Sequence, residues 1–193
     1  MKRLGLLFSL TILLANPVRA ETYKIDSGRS KIAFSVHHLL GTARGEYHKF
    51  GGTIEVDREQ PERSSVTATI QVASIDTKIA KRDNHLRSED FFNASKFPEI
   101  TFRSRNVKRT GADSSDIAGD LTMHGVTRPV VLHVKLLTPI AGGTPPARTR
   151  WQVTTEPIHR KDFGLQFSGT TEAVSGIGQD VMPAIEIEAV RAE

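Results

Sequence analysis

Alternation of apolar and polar residues with a period of two is the feature that most constrains this chain. In Lys31-Ile32-Ala33-Phe34-Ser35-Val36-His37 the large apolar residues take every second place, and Val66-Thr67-Ala68-Thr69-Ile70-Gln71-Val72 repeats the pattern. Successive side chains of a strand point to opposite faces, so such segments suit strands with one face buried. The same period returns at 53–56, 100–107, 117–123, 130–136, 151–155 and 185–190, which predicts eight strands. The connectors are short and polar, among them Asp57-Arg58-Glu59-Gln60-Pro61-Glu62, Arg109-Thr110-Gly111-Ala112-Asp113 and His124-Gly125-Val126-Thr127-Arg128-Pro129. Short polar links join antiparallel neighbours, and a meander is the economical topology. The stretch 138–148, with Gly142-Gly143 and Pro145-Pro146, reads as a flexible loop inside one domain, because alternation resumes at Trp151.

One segment breaks the pattern. Leu86 lies four residues after Arg82 and four before Asp90, which predicts one or two turns of helix within 79–92. Asn93-Ala94-Ser95-Lys96-Phe97-Pro98 ends it, since Pro98 biases Phe97 toward an extended backbone. The fold class is therefore all-β with a short helical segment. An antiparallel sheet of this size must hide its edges, and closure into a barrel does so directly, with a β-sandwich as the alternative. An eight-stranded barrel is either filled by its side chains or holds one small ligand. Periodicity does not distinguish the two.

The N-terminus reads as a secretory signal. Met1, Lys2 and Arg3 precede the apolar run Leu4 to Leu14, and Asn16-Pro17 and Val18-Arg19-Ala20 supply a small-residue cleavage site. The run falls short of the ~20 residues that cross a bilayer. We therefore expect a signal peptide at residues 1–20 and one mature domain at 21–193 outside the cytoplasm, in the periplasm. Lys2, Arg3 and Arg19 would leave with the signal and take the formal charge of +4 to +1. The remaining cations are interspersed with acids, which argues against a nucleic-acid partner. The absence of cysteine excludes disulfides, thiol chemistry and a thioether-linked lipid anchor, so the domain must rest on one adequate core.

Motifs for catalysis and metal binding are missing. There is no G-x-S-x-G elbow, no HExxH, and no glycine loop before a helix that would cradle phosphate. His37 and His38 are adjacent, so on a strand they face opposite ways and cannot close on one ion. Pairings among the distant His48, His85, His124 and His133 stay open, as does a catalytic triad assembled from remote positions.

Several motifs together resemble the YceI-like family of exported proteins. They run from Tyr23-Lys24-Ile25-Asp26 and Ser30-Lys31-Ile32-Ala33-Phe34-Ser35-Val36-His37-His38 through Gly45-Glu46-Tyr47-His48-Lys49-Phe50-Gly51-Gly52 and Ser74-Ile75-Asp76-Thr77. They continue with 82–92, Phe97-Pro98-Glu99-Ile100-Thr101-Phe102, 119–130, His159-Arg160-Lys161-Asp162-Phe163-Gly164-Leu165 and the end from Ile177-Gly178 to Ile187. The chain departs from the family pattern at Glu46-Tyr47 and at His159, where Asn is usual. The resemblance implies an elongated, lipocalin-like eight-stranded antiparallel barrel. Its interior would take a long isoprenoid, polyprenyl or quinone-like, and a homodimer is compatible with it.

On that resemblance the tunnel candidates are Phe34, Val36, Leu86, Phe91, Phe92, Phe102, Leu121, Met123, Phe163 and Leu165. His38, Arg82, Asp83, His85, Arg160 and Asp162 are candidates for its mouth, where arginines would hold a polar or phosphorylated head group. The competing reading makes the charged group a structural ion-pair network and the phenylalanines core. The expected function is non-enzymatic: carrying or sequestering an isoprenoid or other long-chain lipid, with no cofactor beyond a bound lipid or quinone. The alternatives are an enzyme acting on that lipid with His85 or His124 as acid or base, and a filled barrel serving a membrane redox partner or a stress response.

Overall fold

The computed structural model describes residues 20–138, 147–170 and 176–192. The predicted signal segment and most of the predicted 138–148 loop lie outside the described residues. Twelve strands form one sheet: β1 (Glu21–Ile25), β2 (Lys31–His38), β3 (Gly41–Tyr47), β4 (Phe50–Val56), β5 (Ser65–Gln71), β6 (Ile75–Asp76), β7 (Glu99–Arg109), β8 (Ser114–Met123), β9 (Val126–Thr138), β10 (Arg148–Thr155), β11 (Ile158–His159) and β12 (Asp180–Arg191). A helix, α1, spans Ala80–Arg87.

The sheet closes. The ladder runs β1-β4-β5-β7-β8-β9-β10-β12, and β12 returns to β1 through Tyr23↔Arg191 and Ile25↔Ala189, all antiparallel. This is a closed eight-stranded antiparallel barrel with one short helix; seven of the eight alternating segments fall in its wall strands β4, β5, β7, β8, β9, β10 and β12, the eighth falls in β2, and β1 was not among them. The short strands extend that wall. β2 carries β1 onward along β12, β3 carries β4 onward along β2, and β6 pairs with β3.

The breaks between these pieces are bridged, as buried backbone polar groups require. Between β1 and β2 the chain leaves the ladder, and the Ser30 hydroxyl substitutes for it, accepting from Glu188 N at 2.9 Å and donating to Glu188 O at 3.1 Å. Between β3 and β4, His48 N donates to Ser74 O, and Gln71 N donates to Lys49 O. The β8–β9 hairpin is tighter than its sequence reading: the turn is His124-Gly125 alone, with φ of 52° and 76°. That pair of positive values fits a two-residue hairpin turn whose twist matches the strands.

The barrel is plugged at the end where β1 and β10 begin. Tyr23, Trp151, Val153, Ile187 and Ala189 form a buried cluster there, with Val56 and Leu136 against it. At the opposite end α1 and the loops around it cover the barrel. Leu86, Phe91, Phe92, Phe163 and Leu165 pack there with Val72, Ile75 and Met123. The helix predicted within 79–92 is confined to α1. It stops where Ser88 N caps Asn84 O and His85 O, and Phe92 N turns back onto Leu86 O.

Candidate functional site

Between the two clusters the inward faces of the strands do not meet. They enclose a cavity of about 510 Å³, within the range of small-molecule sites. Its wall takes residues from every long strand, among them Ile32, Ile54, Ile70, Phe102, Leu132 and Ile185. Trp151 reaches it from the plugged end. Among the described residues polar side chains on the wall are few, and the charged or titratable ones other than Tyr47 are His38, Arg82 and Arg160. These three belong to the α1 end, so the cavity is greasy along its length and polar at one extremity.

Twelve of the sixteen candidate residues line this cavity: Phe34, Val36, His38 and Leu86; Phe91, Phe92, Phe102 and Leu121; Met123, Leu165, Arg82 and Arg160. The other four stand off the wall, each for a local reason. Phe163 is buried in the packing behind α1. Asp83 is turned back from the helix to accept hydrogen bonds from the Thr77 backbone N–H and hydroxyl. His85 is exposed, 3.8 Å from Asp90 and against the Phe167 ring. Asp162 is exposed in the 3₁₀ turn Arg160–Phe163. Neither histidine named as an acid or base reaches the wall, for His124 lies against the Phe97 ring with Nδ1 3.2 Å from Phe163 O.

The two arginines play different parts. Arg160 is 2 % exposed, and its guanidinium donates to the carbonyls of Gly178, Leu165 and Ile177, tying the loops at this end together. Arg82 donates through Nε to the Thr77 hydroxyl at 2.7 Å and through Nη2 to Thr77 O at 2.9 Å. Thr77 thus links a cavity-facing cation to the buried Asp83 carboxylate. Arg82 meets no carboxylate within 4.0 Å among the described residues, and a guanidinium has five donors. Donors remain for an anion at the polar end. The dense charged group of the sequence is therefore partly a scaffold of charge-assisted bonds to backbone, as the competing reading held.

Tyr47, Thr77, Trp151 and Val153 also line the cavity and were not among the candidates. Inward parity along each strand would have found Trp151 and Val153. Burial in this apolar wall pushes the Tyr47 phenol well above its ordinary range. At the plugged end burial would raise the Glu21 carboxyl, but hydrogen bonds from Arg58 and Tyr23 outweigh it and hold it low. The Tyr23 phenol is raised by burial and by its bond to Glu21. One group of metal-type ligands exists among the described residues, Glu46, His48 and Asp76 on the outer wall. Lys78 Nζ already sits 2.7 Å from Asp76 Oδ2 and 3.4 Å from Glu46 Oε1. With His48 it holds the Asp76 carboxyl well below the usual carboxylate range.

Comparison with known proteins places this geometry. A YceI-like domain model matches residues 23–189. Protein YceI of Escherichia coli O17:K52:H18 is 42 % identical over 137 residues, covering 69 % of this chain and 71 % of that one. Burkholderia cenocepacia BcnA superposes with a TM-score of 0.74 at 22 % identity, over 85 % of this chain and 98 % of that one. A polyisoprenoid binding domain from Saccharophagus degradans, implicated in plant cell wall breakdown, superposes with a TM-score of 0.66 at 18 % identity, over 88 % and 98 %. The match spans nearly every strand of the barrel, and the chain belongs to the YceI-like domain family.

Proposed function

We propose that this protein binds a long-chain isoprenoid, polyprenyl or quinone-like, inside its barrel and carries or sequesters it in the periplasm. The observation that carries the reading is the cavity of about 510 Å³, apolar along its length and polar at one end. A ligand with a long hydrocarbon tail and one polar head matches that distribution. Burial contributes about 0.8 kcal/mol per methylene, against an association cost of about 4–15 kcal/mol. A tail of about five to twenty carbons therefore offsets the cost, and shorter molecules bind poorly. A structural relative that is a polyisoprenoid binding domain supports the ligand class.

The head group sits at Arg82, with Arg160 holding the surrounding loops. His85 and His124, the two histidines considered as acid or base, stand off the wall. The signal-like N-terminus supports export, with residues 1–20 removed. The test is organic extraction of purified protein followed by mass spectrometry, then reloading of the stripped protein with an added polyprenol. Recovery of an isoprenoid, or saturable loading, is the expected result. A lipid-free extract from protein that also refuses added polyprenol would overturn the reading.

A further inference from the structure

The β2–β3 hairpin turns through Leu39-Leu40, whose exposures of 77 % and 91 % are the largest of any bulky apolar residue described. A single exposed leucine is ordinary. Two in succession at a hairpin tip are not, because tips favour Gly, Asn, Asp and other polar residues. The tip is also placed with respect to the cavity. Val36, His38 and Ala43 of the same hairpin line the wall, and Gly178 N fixes its base by donating to His37 O at 2.8 Å. The leucines therefore project from the rim of the polar end. Ile79, 50 % exposed, precedes α1 at that end.

On the hairpin itself and on the segment leading into α1 the charge is one-signed, and Asp180, one residue beyond the Val181↔Val36 pair, is already bonded to His159. Residues 37–44 contain His37, His38 and Arg44 and no acid, and residues 77–82 contain Lys78, Lys81 and Arg82 and no acid. Lys78 is paired with Asp76 and Glu46. Arg44, Lys81 and Arg82 meet no carboxylate within 4.0 Å among the described residues. An apolar tip with cations that meet no carboxylate on its own hairpin, Arg44, and on α1, Lys81, complements a surface that is negative outside and hydrocarbon beneath.

We propose that the Leu39-Leu40 tip docks the polar end of the barrel on an anionic phospholipid bilayer, so that a hydrocarbon chain passes between bilayer and cavity without crossing water. This rests on the ligand class proposed above, yet the docking step can be measured by itself. The experiment is flotation of the purified protein with phosphatidylglycerol vesicles and with phosphatidylcholine vesicles, at low and high salt. The panel is wild type, the double variant Leu39→Ser/Leu40→Ser and the double variant Arg44→Glu/Lys81→Glu.

Wild type floats with the anionic vesicles at low salt, and high salt releases most of it, since charges farther apart than about 10 Å are screened at 0.1 M. Each double variant loses at least about tenfold in bound fraction, while its thermal midpoint and its uptake of polyprenol from detergent micelles match wild type. Equal flotation of the leucine variant, or no flotation of wild type, overturns the proposal. So does a self-association of wild type that the leucine variant loses without any vesicle binding, which would assign the tip to a second copy. Failure of micelle-delivered polyprenol to bind any of the three proteins sinks the ligand class instead, whatever the flotation shows.

Discussion

The rings of Tyr23 and Trp151 meet edge to face, centroids 6.0 Å apart at 87°, and together they close one end of the barrel. Tyr23 is fully buried and off the cavity wall, whereas Trp151 is on it. The pair therefore separates the plug from the hollow. An edge-to-face pair contributes about 0.5–1.5 kcal/mol beyond its buried area. The Tyr23 hydroxyl extends the plug outward by donating to Glu21 Oε2, which Arg58 also holds at 2.8 Å.

Trp151 is the sole tryptophan, so it reports on the far end of the cavity alone. Titration with fatty chains brominated at the tail end is expected to quench its emission in a saturable way once the tail reaches the plug. Brominated fatty chains long enough to span from Arg82 to Trp151 should quench, and short ones should not. Emission indifferent to every ligand that mass spectrometry shows bound would place the chain elsewhere.

Filling the hollow tests it without dismantling the wall. Ala68 lies on the cavity and pairs with Phe102 in β7. Ala68→Phe adds a ring where there is space, so its unfolding free energy should stay within about 3 kcal/mol of wild type, the usual ceiling for added volume in a core. Uptake of a long polyprenol should fall at least about tenfold. A variant that is strongly destabilised would mean that the interior is already packed at that layer.

The Thr77–Asp83 contact is a stability device in a functional neighbourhood. Asp83→Ala removes the acceptor for two donors of Thr77, and each buried group left unpaired costs about 1–3 kcal/mol. Equilibrium urea unfolding should therefore show a loss of roughly 2–6 kcal/mol from those two groups. Thr77→Val should recover part of that loss in the double variant, because the hydroxyl no longer needs a partner. Strict additivity of the two changes would count against the coupling.

Much of this was legible beforehand, and the rest was hidden for identifiable reasons. Seven of the eight alternating segments mark strands of the closed ladder and the eighth marks β2, because the barrel has one wet and one dry face, which imposes a period of two. β3 escaped because its inward residues are Ala43, Gly45 and Tyr47, small where the pattern wants bulk. Gly45 leaves room for its neighbours: a Cβ there would lie 2.5 Å from the Phe34 ring and 2.8 Å from Thr77 Cγ2, so one of those side chains would have to shift. The mouth was legible in residue type and not in orientation. Arg82 and Asp83 are neighbours in sequence, yet α1 turns one toward the cavity and the other toward the Thr77 backbone. No periodicity distinguishes them in a helix only eight residues long.

Alkaline pH should expose the buried phenols. Tyr47 keeps its proton in the folded barrel well past the ordinary tyrosine value, because burial disfavours the phenolate, while the unfolded chain releases it near pH 10. A group whose folded pKa is raised stabilises the fold fully below its unfolded pKa and loses that contribution as pH climbs through the folded one. Tyr23 acts with the same sign, through burial and its Glu21 partner. On the acid side Asp76, bonded by Lys78 and then His48, and Asp26, bonded by Arg148, are held low. Their contributions fade as pH falls below about 4. Thermal midpoints should therefore fall from pH 9 to pH 11 in wild type. Tyr47→Phe, which removes the ionisable group and keeps the ring, should show a shallower decline. Parallel declines in the two proteins would remove Tyr47 from the account and leave Tyr23 as the source.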